Sequence, residues 1–309
     1  MTVSGGARPG GRQLPLQQSE LDRLIEHMRA VQPDPPMFGT PVGCSRATGS
    51  KHAVYLGVVH WFAKMHTVSV KKGRQFFMGE THAGPAWYLN SATGEDTVGT
   101  PIIDLDVLDK LPLFSEQGYR YRAVFCERGK PKAIVTQLRH SIEASGFGQH
   151  GDVAVLDGEF EKRLPEYLEG LPRGTHLCGV LFVDGNGSIS RDLIEMFQYY
   201  SRELHYVDVA IWHQAHVRHR FAGLGPAAIA PGGAWHGHVQ KYDYRPLCEV
   251  LPDFWKRRWL IRRPFNAGNG TAWTMLVGSN WVKLPEWRAG EMYLLHTLDG
   301  QKILKECDE

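Results

Sequence analysis

The sequence predicts an α/β fold in which helices flank a mostly parallel central sheet. Three short apolar runs each end in an acidic residue, at Glu127, Asp157 and Asp184, and helical patterns separate these runs. A fourth apolar run, beginning at Gln75, leads into a turn that contains glycine. Ligands of parallel sheets bind at the carboxyl ends of the strands. The pattern therefore favours a nucleotide-like ligand, with acids that only cap turns or helices as the alternative.

Composition sets the broad class of the protein. The 309 residues suit one large domain, and 42% apolar with 22% charged residues supports a substantial core. A formal net charge of +2 does not by itself indicate a nucleic-acid binder. Five scattered cysteines without a CxxC pair argue against a cysteine zinc site and favour a reducing, cytoplasmic compartment. No apolar run reaches the roughly 20 residues that cross a bilayer, so no membrane association is expected.

Shifts in composition predict the organisation of the chain. Residues 1–16 are expected to form a disordered tail, and residues 17–50 a helical extension. A Rossmann-like domain is expected over residues 51–282, with an insertion near 214–258, followed by a C-terminal extension over 283–309.

Periodicity, caps and prolines predict the individual elements. Thr100 is the expected N-cap of a helix that has Pro101 in its first turn, and the polar segment Leu89–Thr100 before it is expected to be an exposed loop. Apolar runs near the C-terminus, joined by Asn266–Gly270, predict an antiparallel hairpin. The predicted strands are Gln75–Met78, Tyr121–Glu127, a third ending at Asp157, Leu177–Asp184, Val207–His213, Leu260–Arg263 and Thr271–Gly278. The predicted helices are Gln17–Val31, Tyr55–His66, Pro101–Leu111, Pro131–Ala144, Phe160–Leu171 and Ile189–Leu204.

Several short motifs resemble a known family. The segment Gly79–Gly84 with Tyr88, followed by Val98–Ile102, is similar to the "DGFAGxGxY … GSP" segment of the three-Cys-motif partner proteins. Members of that family are assigned as S-adenosylmethionine-dependent methyltransferases. The resemblance implies a Rossmann-like class I methyltransferase fold, that cofactor and that activity. It spans about residues 50–280 and continues through Val124–Glu127, Leu156–Phe160, Leu164–Leu168 and Leu181–Gly187.

A second resemblance bears on the substrate. Thr81–Gly84 is similar to part of the "DTHAGxGxY" segment of ribosomal RNA adenine N6-methyltransferases, which implies modification of nucleic acid. Those enzymes hold a flipped adenine with the prolines and the aromatic residue of a DPPY motif. Here Asp184–Gly187 reads Asp-Gly-Asn-Gly at that place. This difference keeps open a Rossmann-fold protein that binds a nucleotide or a partner without catalysis.

The chemistry of the cofactor suggests roles for the predicted site residues. The methionine carboxylate needs backbone N–H donors, which the glycine turn is expected to offer. The ribose hydroxyls need an acceptor, for which Glu127 is the candidate, and the adenine amine needs another, for which Asp157 is the candidate. The predicted cofactor-binding residues are Gly79, Glu80, Thr81, Ala83, Gly84, Glu127 and Asp157.

Methyl transfer depends chiefly on placing a nucleophile in line with the sulfonium. Asp184 and Asn186, at the end of the fourth strand, are the candidates for that placement, and Asp184 as a helix or turn cap is the alternative. His82 is a further candidate catalytic base, with local hydrogen bonding within its turn as the alternative.

Two other clusters of residues bear on function. His213, His216 and His219 form an HxxHxxH pattern that does not keep three ligands on one helical face, so no metal site is predicted. A segment rich in cations and aromatics predicts contact with RNA or DNA, with a solvated edge as the alternative. Its cations are Lys256, Arg257, Arg258, Arg262 and Arg263.

These observations favour an S-adenosylmethionine-dependent methyltransferase over a non-catalytic protein that binds a nucleotide or a protein partner. A metal-dependent hydrolase that uses the histidine cluster is the weakest hypothesis, because it lacks a strong motif.

Overall fold

We describe the protein from a computed structural model. The structure describes residues 14–38, 48–129, 132–184, 189–213, 226–234, 236–243, 249, 257, 259–266, 272–280, 291–294 and 302.

Helices and strands alternate along most of the chain. The helices are α1 (Leu14–Val31), α2 (Thr48–Lys71), α3 (Thr100–Asp109), α4 (Pro112–Ser115), α5 (Ala133–Ser145), α6 (Phe160–Glu169), α7 (Arg191–Tyr199), α8 (Pro226–Ile229) and α9 (His236–Lys241). The strands are β1 (Met37–Phe38), β2 (Gln75–Glu80), β3 (Trp87–Asn90), β4 (Glu95–Val98), β5 (Tyr121–Glu127), β6 (Gly151–Asp157), β7 (Leu177–Val183), β8 (Ile189–Ser190), β9 (Tyr206–His213), β10 (Tyr242–Asp243), β11 (Trp259–Asn266), β12 (Ala272–Ser279) and β13 (Glu291–Leu294).

An eight-stranded sheet forms the centre of the molecule, in the order β13-β11-β12-β9-β7-β2-β5-β6. Strands β6, β5, β2, β7 and β9 pair in parallel, whereas β12 pairs antiparallel with β9 and with β11. Numbered along the chain, and without the edge strand β13, the order is 3-2-1-4-5-7-6 with an antiparallel seventh strand. This is the Rossmann-like class I methyltransferase topology with its C-terminal antiparallel hairpin, and it confirms the predicted fold class.

Helices cover both faces of this sheet because successive strand residues point to opposite sides. In β2, Phe76 and Met78 join an apolar cluster with α1, α2, α3 and α5. Phe77, between them, joins a second cluster with α6 and α7 on the other face. The helix α1 thus packs on the same core as the central sheet. No helix in the described parts of the chain is long and apolar enough to cross a lipid bilayer.

The segment Leu89–Thr100 is not the exposed loop that its polar composition predicted. Strands β3 and β4 form an antiparallel hairpin there, and β1 adds to it in parallel. The hairpin is held by apolar residues at its base, since Trp87 and Val98 are almost completely buried. The N-cap of α3 is Gly99, not Thr100, because the Thr100 hydroxyl is used elsewhere.

The predicted turn at Gly79 is also wrong, because β2 continues to Glu80 and Gly79 is a strand residue. A methyl group at Gly79 would lie 2.8 Å from Leu181 Cδ1 and 2.8 Å from Phe77 Cε1. The absent side chain therefore makes room for the packing of β2 against the face that carries α6 and α7.

We predict that Gly79→Ala destabilises the fold by about 1–3 kcal/mol, because the added methyl group overfills this packed face. Chemical unfolding of the full chain measures the effect. The matched control is Gly237→Ala in α9, where no atom lies within 4 Å of the added methyl group, and it should be neutral or slightly stabilising. Equal stability of Gly79→Ala and wild type would contradict the packing role.

Candidate functional site

The candidate site lies at the carboxyl edge of the sheet, where β2 has β5 on one side and β7 on the other. From β2 the chain first builds the sheet outward through β5 and β6, and then returns to place β7 on the opposite side of β2. Crevices at such reversal points are the usual ligand sites of open α/β sheets.

The turn that follows β2 is fixed to both neighbouring strands. The backbone N–H of Thr81 donates to the Phe182 carbonyl at 3.0 Å, and that of Ala83 donates to the Cys126 carbonyl at 3.0 Å. The N–H of Gly84 donates to Glu127 Oε2 at 3.0 Å. These three N–H groups thus serve protein acceptors, which differs from the expectation that they bind a ligand carboxylate.

Gly84 has a backbone conformation that glycine adopts readily, with φ of +68°. No atom lies within 4 Å of where a Cβ would stand, so its backbone faces open space. A ligand can therefore approach this point of the turn closely.

Glu127 and Asp157 lie side by side, because the ends of β5 and β6 are in register. Glu127 is half-buried, and its Oε1 accepts the backbone N–H of Gly129 at 3.3 Å. Gly129 also has a positive φ, of +67°, and a Cβ there would lie 3.0 Å from Asp157 Oδ1. The Asp157 residue is exposed. The structure thus brings Gly84, Glu127 and Asp157 together at one edge of the sheet, and their roles toward a cofactor stay predictions.

Glu80, at the end of β2, turns away from this surface into the protein. It is 4% exposed. Its Oε1 accepts the Tyr55 hydroxyl at 3.1 Å, and its Oε2 accepts the Thr100 hydroxyl at 2.6 Å. The Tyr55 hydroxyl also lies 3.2 Å from Oδ2 of Asp104, which is completely buried. Strand β2, helix α2 and helix α3 therefore meet at two buried carboxyl groups.

Burial makes ionisation of both carboxyl groups costly. It raises the pKa of Glu80 to about 7, although hydrogen bonds from Asp104, Thr100 and Tyr55 act against the rise. The pKa of Asp104 is raised well above its usual range by burial and then by the charge of Glu80. The pair therefore retains a proton under conditions where ordinary carboxyl groups are ionised.

Asp184 forms an ion pair with a residue that sequence reasoning missed. Lys51 Nζ in α2 contacts Asp184 Oδ2, and it lies 4.9 Å from the ring centroid of Trp212 at the end of β9. Asp184 Oδ1 has no hydrogen-bond partner among the described residues. The interpretation of Asp184 as the cap of the next helix is wrong, because Ser190 caps α7 by accepting the Leu193 N–H at 3.1 Å.

Next to Lys51, His52 is 8% exposed and hydrogen-bonds the backbone of Val98. Burial, and then the nearby Lys51 charge, lowers the pKa of His52 to about 4. The ring is therefore neutral near pH 7. The hydrogen bond to the Val98 backbone favours the protonated ring, so a ring N–H donates it. Nδ1 has no partner among the described residues, so Nε2 is the donor and Nδ1 carries the lone pair.

The other predicted catalytic residues receive no structural test. His82 is exposed, its Nδ1 lies 2.8 Å from Thr81 Oγ1, and its ring centroid lies 5.4 Å from that of Phe160. Asn186 lies outside the described residues. Their catalytic roles stay predictions.

One predicted nucleic-acid contact is wrong. Arg257 is 2% exposed and donates to the Leu204 and Val207 carbonyls at 2.8 and 2.7 Å, so it cannot reach a phosphate. Burial lowers the pKa of Arg257 to about 10. Arg262 is half-buried in β11, and the side chains of Lys256, Arg258 and Arg263 lie outside the description.

The histidine cluster is only partly described. His213 ends β9, whereas His216 and His219 lie outside the described residues. Where the chain is described, no group of three or more His, Cys, Asp or Glu side chains could hold a metal ion.

No protein-family model matches the chain, and no curated protein is significantly similar to it. Among solved structures, a DUF519-family protein from Legionella pneumophila aligns with a TM-score of 0.45 and 11% identity, over 85% of this chain and 92% of its own. A DUF574-family protein from Streptomyces avermitilis aligns with a TM-score of 0.36 and 11% identity, over 84% of this chain and 90% of its own. At these values neither similarity bears on function. The fold assignment therefore stands on the strand order, and the three-Cys-motif partner resemblance is not confirmed.

The buried carboxyl pair predicts how stability changes with pH. Glu80 has a pKa of about 7 in the folded protein, against an ordinary value of 4.5. The stabilisation that comes with its protonation is therefore complete below about 4.5 and is lost as the pH rises through about 7. Over that window the free energy of unfolding should fall by on the order of 3 kcal/mol.

Replacement of Asp104, the partner of Glu80, should weaken the dependence of the free energy of unfolding on pH. In Asp104→Asn, the amide can still donate to Glu80, but the raised pKa of Asp104 no longer adds its own loss of stability as the pH rises. Urea unfolding at about pH 5 and about pH 8 should show a smaller fall than in wild type. The exposed control Glu143→Gln should keep the wild-type fall. An identical fall in the free energy of unfolding in Asp104→Asn and wild type would contradict the contribution of Asp104.

Proposed function

We propose that the protein binds S-adenosylmethionine at the carboxyl edge of β2, β5 and β6 and transfers its methyl group to an acceptor near β7. The observation that carries this proposal is the meeting of Gly84, Glu127 and Asp157 at the point where the sheet reverses its direction of growth. The proposal extends to kinship with the three-Cys-motif partner proteins, on the motifs quoted above.

The residues present fit the adenosine half of this cofactor. Each carboxylate oxygen of Glu127 accepts one backbone N–H and retains a further lone pair, so Glu127 can also accept ribose hydroxyls. Asp157 is exposed beside it and can accept the adenine amine. Gly84 leaves open space above the turn, which gives the nucleoside room to approach.

The bound cofactor would supply an activated methyl group, so the protein has to position the acceptor rather than activate it. Asp184 is the residue proposed for this role, because it directly follows β7, which lies next to the central strand β2. Lys51 engages Oδ2 of Asp184, which leaves Oδ1 to receive a hydrogen bond from an acceptor N–H or O–H group. Lys51 is thus a positioning residue in this proposal.

Two observations favour the alternative of a binding protein without catalysis. The N–H groups of Thr81, Ala83 and Gly84 already donate to protein acceptors, and the ion pair of Lys51 and Asp184 occupies the edge where an acceptor would bind. Nucleic acid stays a predicted partner through Lys256, Arg258, Arg262 and Arg263, without Arg257.

Cofactor binding is tested at Glu127. Glu127→Gln places an amide donor where both oxygens now accept N–H groups, so affinity for S-adenosylmethionine should fall by about 1–3 kcal/mol, measured by calorimetric titration. Glu143→Gln on α5 is the matched control and should bind as wild type does. Thermal melting of both variants separates lost binding from lost folding. Equal affinity in Glu127→Gln and wild type would remove Glu127 from the site.

The catalytic proposal is tested at Asp184. In Asp184→Asn, cofactor affinity should stay within about 3-fold of wild type, while transfer of tritiated methyl groups to extracted RNA and protein falls about 100-fold, or about 2.7 kcal/mol. Lys51→Arg should keep more activity than Lys51→Met, because it preserves the ion pair. Wild type that binds the cofactor but transfers no methyl group would favour the binding-protein alternative.

A further inference from the structure

A groove of about 630 Å³ lies between α1, the beginning of α2 and the β3–β4 hairpin. One side is formed by the face of α1 that carries Asp22, Glu26 and Arg29. The opposite side is the hairpin, with Glu95 and Asp96. None of the roles assigned above uses this groove.

The groove carries more negative charge than its own residues neutralise. Arg29 Nε donates to Asp96 Oδ2 at 2.6 Å, which accounts for one of the carboxylates. Arg29 is the only lysine or arginine in the described lining. The carboxylates of Asp22, Glu26 and Glu95 thus have no cation of the described protein within ion-pair distance, and the Asp22 carboxylate accepts only the neutral amide of Gln18.

A buried acceptor in the lining of the groove provides independent evidence for a ligand. His52 lines the groove, is more than nine-tenths buried, and has an Nδ1 lone pair with no partner among the described residues. A buried acceptor without a donor is costly in the folded protein. A ligand that brings N–H donors would complement both this nitrogen and the carboxylates.

Two lining residues, His52 and Val98, are close in sequence to residues of the proposed site and its support. His52 follows Lys51, which is paired with Asp184. Val98, also in the lining, precedes Gly99 and Thr100, and the Thr100 hydroxyl bonds to the buried Glu80. A ligand in contact with His52 would therefore lie near Lys51, which pairs with Asp184 at the edge of the sheet.

We infer that this groove binds a ligand that carries alkylammonium groups, such as a lysine-rich peptide or a polyamine. Binding of this cation does not depend on the cofactor. We further infer that this ligand is the methyl acceptor, and that part of the inference rests on the proposed function. Phosphate groups would meet the uncompensated carboxylates of Asp22, Glu26 and Glu95, so the groove disfavours nucleic acid.

The test uses the full chain without cofactor and three probes: tetralysine, spermidine and a single-stranded RNA oligonucleotide. Calorimetry at low salt should show binding of tetralysine or spermidine, and the tighter of the two identifies the source of the ammonium groups. In the double variant Asp22→Asn/Glu26→Gln this affinity should fall at least about 10-fold, because two attractive charges are lost.

The matched control is Glu143→Gln/Glu195→Gln, which removes two exposed carboxylates outside the groove, and it should bind as wild type does. No binding of either cation, or an equal loss in both double variants, overturns the inference. RNA that binds wild type more tightly than the cations, and tighter still in Asp22→Asn/Glu26→Gln, also overturns it.

Titration of S-adenosylmethionine into the same proteins separates this inference from the proposed function. If the protein binds the cofactor but neither cation, the inference about the groove is wrong and the proposed function is unaffected. If it binds a cation but not the cofactor, the inference about the groove stands and the methyltransferase proposal is wrong.

Discussion

The buried carboxyl group of Glu80 is the contact on which the arrangement of the site depends. It ends the central strand β2 and accepts hydroxyl groups from Tyr55 in α2 and Thr100 in α3. A buried carboxyl group is tolerated when it is hydrogen-bonded or protonated. Here both oxygens accept hydrogen bonds, and burial raises the pKa of Glu80 to about 7, so the protonated form is favoured below that pH. The contact fixes the helix that carries Lys51 and His52 against the edge of the sheet. It also fixes the start of α3, directly after the β3–β4 hairpin.

This arrangement separates two chemical environments along the edge. On the side of β5 and β6, Glu127 and Asp157 face solvent above a turn that leaves room for a ligand. On the side of β7 and β9, Asp184 is paired with Lys51 beside the Trp212 ring. The first environment suits the hydroxyl and amine groups of a nucleoside. In the second, the paired Asp184 carboxylate suits a hydrogen bond to a substrate that enters from the groove between α1 and the hairpin.

Much of the fold could be predicted from local pattern. The strands ending at Glu127 and Asp157 have the predicted ends, because apolar runs that end in an acidic residue are typical of parallel strands packed against helices. The β3–β4 hairpin was not predicted, because polar residues at its tip dominate the composition of the segment and its buried apolar residues are confined to the base. The limits of β2 were misjudged because a glycine that makes room for Phe77 and Leu181 looks, in sequence, like a turn residue.

The site could be predicted only where its residues follow strands. Glu127 and Asp157 meet because adjacent parallel strands end at the same edge. Lys51 and His52 could not be found in this way, since α2 precedes β2 and the partner of Lys51 lies 133 residues further along the chain. Arg257 looked like part of a basic surface, whereas its guanidinium satisfies two backbone carbonyls that side-chain patterns do not reveal.

Hydrogen–deuterium exchange with and without S-adenosylmethionine is the sharpest test of the proposed cofactor site, because it locates the ligand without an assumed acceptor. We predict slower exchange at the amides of residues 81–84, 86 and 127–129, with no change along β11 and β12 at the far side of the sheet. Unchanged exchange throughout, or protection confined to segments away from the carboxyl edge of β2 and β5, would contradict it.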